Sequence, residues 1–147
     1  VIVIFQIIYR KVELFKTIEL YFKFRKTRFK ILRNVPVKDV FIAKNNEETK
    51  LISEKEFDVV IYLSTSFFNK SYKPICVFEI NGGEHLGSNK QIKYDNEKRE
   101  LLNKYGLKLF IISNNFIKDH ELIINLFKNN FKKLSKEVEY EQVSLYE

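Results

Sequence analysis

The sequence contains a single cysteine, Cys76, inside the apolar run PICVFEI. One cysteine cannot form a disulfide within the chain, nor can it supply the thiolate set of a Cys-based zinc site. No set of Ser, His and Asp, or of Cys and His, is recognisable as a nucleophilic catalytic group. We therefore expect a reducing compartment and an intracellular location, in the cytoplasm or the nucleoid.

Long hydrophobic runs and glycine motifs are also missing. The opening VIVIFQIIY is apolar over only nine residues, which is too short to span a bilayer, and it lacks the flanks of a signal peptide. We expect it to form core and expect no membrane association. The four glycines form neither G-x-G-x-x-G nor a P-loop. Methionine is absent even at the start, so we expect that the chain could belong to a longer protein with further domains.

What the sequence does contain predicts one packed domain with a basic surface. The 147 residues are 45% hydrophobic, enough for a continuous core over residues 1–147. No repeat or linker divides the chain. The 26 basic and 19 acidic residues give a net charge of +7, which favours a polyanionic partner.

The pattern of apolar and polar residues predicts an α/β fold. The predicted elements are a helix over about 9–26, either a strand bent at Pro36 or two short edge strands over 29–43, a polar loop at 44–56, strands at 57–63 and 74–80, a helix at 89–105, a strand at 107–113 and a helix at 118–134. The two apolar strands in the middle are expected to form a hairpin at the centre of the sheet. This order predicts three layers around a mixed sheet of about four or five strands.

Metal-capable side chains lie around the end of the second central strand, in FEINGGEH. If the two strands pair antiparallel, Asp58 and Glu79 come close together. Paired carboxylates repel, and a divalent cation such as Mg²⁺ or Mn²⁺ holds both ionised. The carbonyl of Ile80 offers a third oxygen. Gly82 and its neighbour let the chain leave the strand and leave room for a substrate phosphate.

Lys98 interrupts the apolar stripe of the following helix. It lies four residues after Tyr94 and three before Leu101, so it is either a snorkelling lysine or a functional one. Near a metal and a phosphate, its ammonium could stabilise developing negative charge or orient a water. Asp95, on the adjacent face, could pair with Arg99.

Three stretches of this sequence together resemble a known family. FDVVI, CVFEINGGEH and YDNEKRELLNKYGLKLFII are similar to an uncharacterised domain family with motifs D, E-[LV]-D-G-x-x-H and D-x-x-K, and to very-short-patch-repair-like nucleases. The family belongs to the restriction-endonuclease-like, or PD-(D/E)XK, superfamily, and the resemblance covers residues 57–113. It implies a three-layer α/β/α restriction-endonuclease-like fold and Mg²⁺- or Mn²⁺-dependent cleavage of nucleic acid, with DNA as the expected substrate.

The resemblance also implies roles for individual residues. Asp58 and Glu79 would be the metal ligands, and Lys98 would be a catalytic lysine moved from the sheet to the helix. His85 and Asp95 would line the site together with the turn glycine.

Two further catalytic positions follow from the same resemblance. Glu13, on the first helix, could be the auxiliary acid that this superfamily often carries there. Asn81 stands where the relatives have Asp, and a neutral amide is a poorer metal ligand. Two alternatives to the nuclease therefore stay open: a nuclease-like module that binds nucleic acid without cutting it, and a protein-binding α/β scaffold.

Overall fold

A computed structural model describes the backbone of residues 2–22, 28–52, 55–64, 71–81 and 89–132, and the side chains of these residues except 2–8, 81 and 114. The elements are α1 (Ile2–Phe22), β1 (Phe29–Pro36), α2 (Asn46–Leu51), β2 (Glu56–Ser64), β3 (Tyr72–Asn81), α3 (Asn89–Lys104), β4 (Lys108–Ser113) and α4 (His120–Asn130), with 3₁₀ turns at Val37–Asp39 and Asn114–Phe116. None of the helices in these ranges is long and apolar enough to cross a membrane.

The sheet has four strands in the order β1-β2-β3-β4. β1 and β2 are antiparallel, as are β2 and β3, whereas β4 lies parallel to β3. The central pair is the hairpin that the two apolar runs predicted. Both strands are apolar on both faces because helices cover the sheet on each side, which is typical of strands at the centre of a three-layer domain.

Two hydrophobic clusters lie on opposite faces of the sheet. Neighbouring residues of one strand, such as Val77 and Phe78, belong to different clusters because successive side chains point to opposite faces. One cluster contains the inner faces of α1 and α4, through residues such as Leu14 and Phe127. The other contains Leu102 of α3. The predicted α/β/α architecture with a mixed sheet is confirmed.

The helices differ from the prediction in where they begin or end, and the buried face of α4 is shifted by one residue. α1 begins at Ile2 instead of at about residue 9 and is described as far as Phe22, so its predicted end at about residue 26 lies outside the described residues. α3 ends before Gly106, whose φ of 82° confirms the predicted glycine stop. On α4, Leu122 was predicted to face inward but is 37% exposed, and the buried residue is Ile123.

α2 lies in the segment that was predicted to be a loop. Its six residues are polar except for Leu51, so no apolar stripe reveals it. The Asn45 side chain caps the helix by accepting from the Glu48 N–H at 2.9 Å, and the Glu48 carboxylate accepts from the Tyr105 hydroxyl at 2.8 Å. Capping and a tertiary hydrogen bond stabilise this short helix where its composition does not.

The ladder between β1 and β2 is interrupted at one pair. Arg33 pairs with Val59 and Val35 pairs with Phe57, but the intervening pair is missing from the ladder. On the β1 side of this gap Asn34 has a φ of 52°, a left-handed conformation that asparagine tolerates better than most residues. The residue of β2 at the position of the missing pair is Asp58.

Candidate active site

Asp58 lies at the missing pair of the β1–β2 ladder and directly before the stretch of β2 that pairs with β3. Pairing of β2 with β3 begins at Val59 opposite Phe78, one residue beyond Asp58. The Asp58 side chain enters this opening, and its Oδ2 accepts a hydrogen bond from the Ile80 backbone N–H at 2.8 Å. The carboxylate thus takes the place of a main-chain acceptor at the end of the central hairpin.

Lys11 of α1 forms an ion pair with the same carboxylate. Its Nζ lies 3.0 Å from Asp58 Oδ1, and the two side chains are 34% and 13% exposed. Lys11 precedes the buried residues Leu14 and Ile18 by three and seven positions, so it shares the sheet-facing side of the helix. Lys11 was not among the predicted site residues, because its spacing to Leu14 and Ile18 is informative only once these two residues are known to be buried.

Lys98 of α3 forms a second ion pair, with Glu79 near the end of β3. The distance from Lys98 Nζ to Glu79 Oε2 is 2.8 Å, and the side chains are 1% and 12% exposed. The ammonium also lies 6.0 Å from the centre of the Phe57 ring, within the range of a cation–π contact. The prediction that Lys98 points from the helix towards the acidic pair is confirmed for Glu79, and the snorkelling alternative is not what the structure shows.

The two acids lie on neighbouring antiparallel strands, as predicted. Their ammonium partners come from opposite layers, because α1 and α3 pack on opposite faces of the sheet. The Ile80 amide links the two halves, since it binds Asp58 and directly follows Glu79 in the chain. The predictions that the two carboxylates lie within about 6 Å of each other and share one cation stay predictions, since the contacts described here engage Asp58 from the α1 face and Glu79 from the α3 face.

The chemistry of these donors fits a hard divalent cation. Two carboxylates and the Ile80 carbonyl are oxygen ligands of the kind that Mg²⁺ prefers. Across the part of the chain that the structure describes, no three His, Cys, Asp or Glu side chains cluster as a metal site. The protein would thus supply two acids and a carbonyl, and Mg²⁺ commonly keeps several waters in such sites.

Glu13 and Asp95 are less directly connected to this centre. Glu13 is half-buried on α1, but it lies two residues from Lys11, roughly 200° around the helix. It is therefore Lys11 that α1 brings to Asp58. Asp95 accepts a hydrogen bond from Gln91 at 2.8 Å, while its suggested partner Arg99 donates to the Leu109 carbonyl at 3.4 Å and to Asn96 at 3.0 Å.

The side chains of three predicted site residues lie outside the described part of the structure. Asn81 ends β3, but its side chain lies outside the described residues, as do Gly82 and His85 entirely. Their roles stay predictions. Cys76, by contrast, is fully buried, and this burial raises the pKa of its thiol well above the ordinary value. It is therefore a core residue and not a nucleophile.

Comparisons with known protein families, with curated proteins and with solved structures find no match for the chain. The candidate site is consequently defined by contacts within this chain. A groove of about 440 Å³ lies at the β4 edge of the sheet and is lined by parts of α3, β4 and α4. None of the four residues of the two ion pairs lines this groove. The two ion pairs at the ends of the central strands form the candidate active site.

Proposed function

We propose that the protein is a metal-dependent nuclease of the restriction-endonuclease-like superfamily that hydrolyses nucleic-acid phosphodiester bonds. The observation that carries the proposal is the Lys98–Glu79 ion pair, whose side chains are 1% and 12% exposed, one residue before the Ile80 amide that binds the Asp58 carboxylate. Removing two charges from water costs more free energy than a structural contact usually returns. A charged pair held largely out of water is therefore a candidate for a functional site.

Each residue has a distinct task in the proposed reaction. Asp58 and Glu79 hold the cation together with the Ile80 carbonyl. A bound Mg²⁺ or Mn²⁺ supplies Lewis-acid polarisation of the phosphate and a more acidic water. Lys98, fixed by its 2.8 Å contact with Glu79, stabilises negative charge that develops on the phosphate or orients the attacking water.

The sequence motifs support the same assignment. The positions corresponding to the superfamily's D, E and K are those that form the two ion pairs, and the sheet around them is covered by helices on both faces. The net charge of +7 would attract the phosphate backbone, with DNA as the expected substrate.

A second candidate function is a nuclease-like module that binds nucleic acid without cleaving it. The observation that favours it is Asn81, because the family that the sequence resembles carries Asp at the corresponding position and an amide contributes no charge to a metal site. This module would keep the fold and the basic surface but bind the cation weakly.

Cleavage assays test the proposal directly. With Mg²⁺ or Mn²⁺, the purified protein should nick or degrade DNA or RNA, and EDTA should abolish this activity. Glu79→Gln should lower the rate by about 100-fold or more, as expected when a group that stabilises transition-state charge is lost. Glu97→Gln, at an acid of the same helix as Lys98 whose side chain is 50% exposed, is the matched control and should cut like the wild type. Circular dichroism checks that both variants fold.

Asn81→Asp separates the two candidate functions. In an active nuclease that tolerates Asn81, the restored carboxylate should leave cleavage similar or raise it. A silent wild type that Asn81→Asp revives would identify the non-cleaving module. If neither protein cuts any substrate and both bind nucleic acid in a strongly salt-dependent manner, the nuclease proposal fails.

A further inference from the structure

The two lysines of the site differ in how firmly they are held. Lys98 is 1% exposed and lies against the Phe57 ring, so its ammonium has little room to move. Lys11 is 34% exposed and reaches Asp58 from the surface of α1. A lysine side chain is long and flexible, and its ammonium is strongly hydrated. The Lys11 ammonium can therefore exchange its partner, whereas that of Lys98 cannot.

We propose that Lys11 is an internal cation of the site, which holds the Asp58 carboxylate until a divalent cation replaces it and then binds a phosphate oxygen of the nucleic acid. This inference rests on the proposed metal-dependent function. It assigns to Lys11 a positioning role before the metal binds and a substrate contact afterwards.

The hydrogen bonds of Asp58 determine which oxygen is exchanged. Oδ2 is bound to the Ile80 N–H, a main-chain group that stays in place. Oδ1 is bound to Lys11. A cation that binds through Oδ1 therefore competes directly with the Lys11 ammonium, while the Ile80 contact keeps the carboxylate oriented throughout.

The released ammonium would remain at the strand ends, since α1 is anchored by Leu14 and Ile18 in the core. There it would face the polyanion that the divalent cation binds. An ammonium is a common phosphate ligand and acts as a point charge. One side chain thus neutralises Asp58 without metal and contributes to substrate binding with metal.

Isothermal titration calorimetry with Mn²⁺, in the absence of nucleic acid, tests the exchange. Lys11→Gln removes the competitor, so its Mn²⁺ affinity should rise about fivefold, the scale expected for a partly exposed ion pair. Lys11→Arg keeps the ion pair and should bind like the wild type. Lys16→Gln removes the same charge from an exposed position of α1 and should leave the affinity within about twofold. Equal affinities for Lys11→Gln and Lys16→Gln would overturn the inference.

The salt dependence of binding to a short DNA duplex tests the phosphate contact. In Ca²⁺, which also prefers oxygen ligands, Lys11→Gln should reduce the slope of log affinity against log salt by about 0.9, the loss of one phosphate contact. In EDTA the slope should match that of the wild type because Lys11 is then bound to Asp58. An equal reduction under both conditions would contradict the exchange.

The outcomes also separate this inference from the proposed function. If the wild type binds Mn²⁺, Glu79→Gln abolishes binding and Lys11→Gln changes nothing, the inference fails and the nuclease proposal stands. If neither the wild type nor Lys11→Gln binds Mn²⁺, the metal-dependent function fails and the inference fails with it. Binding by Lys11→Gln alone would support the inference and show that Lys11 keeps the metal out.

Discussion

The ion pair between Lys98 and Glu79 is almost completely removed from water. Its attraction is strong in such surroundings, but both ions have lost their hydration, so the pair need not stabilise the fold. The same physics makes the loss of one partner costly, because the remaining ion is left buried without its counter-charge. The pair therefore has a recognisable thermodynamic signature.

We expect Lys98→Met to lower the free energy of unfolding by about 3–5 kcal/mol, since it leaves the Glu79 carboxylate buried beside an apolar side chain. The double variant Lys98→Met/Glu79→Leu should recover most of this loss. Urea unfolding of the single and double variants measures both effects. Lys93→Met is the control, because Lys93 and Glu97 are 80% and 50% exposed and 4.0 Å apart, and it should cost less than about 1 kcal/mol. Equal losses at positions 98 and 93 would be incompatible with a buried pair.

Lys98 could be predicted from the sequence, whereas Lys11 could not be predicted as readily. Lys98 interrupts an apolar stripe in a helix with few apolar residues, so its position is unusual. α1 carries apolar residues around much of its circumference, including Val12 and Phe15, and the sheet-facing side becomes clear only when Leu14 is known to be buried. The sequence pattern also directed attention to Glu13, which is acidic, rather than to a lysine.

At the scale of elements, the gap in the β1–β2 ladder lies at Asp58, the residue whose side chain accepts from the Ile80 amide of β3. On the β1 side of this gap, Asn34 has a left-handed conformation. Glycine adopts this conformation without cost, while a β-branched residue is strained there.

We expect Asn34→Gly to change the free energy of unfolding by less than about 0.5 kcal/mol and Asn34→Val to lower it by about 1–2 kcal/mol. Denaturant midpoints measure the difference. Lys30→Val is the control, because Lys30 is an exposed residue of the same strand and valine suits a strand. Should Asn34→Val be as stable as the wild type, Asn34 would not have the positive φ described here.

The capping of α2 should make stability depend on pH. The Lys44 backbone N–H, the Tyr105 hydroxyl and the positive charges of Lys104 and Lys44 lower the pKa of Glu48 below its ordinary value of 4.5. A lowered pKa means that the ionised form is favoured in the folded state. The resulting stabilisation is present above pH 4.5 and is lost as the pH falls through the lowered pKa.

We therefore expect Glu48→Gln to be less stable than the wild type at pH 7 and to approach it as the pH falls below 4.5 and through the lowered pKa of Glu48. Thermal unfolding at a series of pH values measures this convergence. Glu47→Gln, at an exposed acid in the same turn, should follow the wild type at every pH. A constant difference between Glu48→Gln and the wild type across the series would show that ionisation of Glu48 is not the cause.

α2 also shows why the sequence could not predict every element. Its stability comes from the contact between Glu48 and Tyr105, which are 57 residues apart, and local composition does not reveal such a contact. Leu122 illustrates a related difficulty. It was predicted to be buried, but the buried face of α4 is shifted by one residue, so that Ile123 is buried in its place. The apolar strands, in contrast, were predictable since their burial on both faces appears directly as continuous runs of Val, Ile and Phe.

At the scale of the whole molecule, the alternation of helices and apolar strands was sufficient to predict the three layers. The number of strands, given as four or five, depended on the bent segment at Pro36, which forms only β1 and a 3₁₀ turn. The site could be predicted as far as Asp58, Glu79 and Lys98 because they lie at ends or interruptions of strong patterns. The sequence did not predict that the lysine partners of these two acids come from opposite layers, Lys11 from α1 and Lys98 from α3.

The net charge of +7 has a whole-molecule consequence that separates the functional alternatives. A protein that binds nucleic acid through phosphate contacts releases counterions, and each contact contributes about −0.9 to the slope of log affinity against log salt. We expect binding of a DNA duplex in EDTA to weaken between about 50 and 200 mM salt with a slope of about −3 or steeper. Fluorescence anisotropy measures this slope, and an uncharged fluorophore-labelled peptide serves as the control ligand. If the duplex does not bind, or binds with an affinity independent of salt, the positive charge reflects only the amino-acid composition and does not serve nucleic-acid binding. The protein-binding scaffold would then be the better account of this fold.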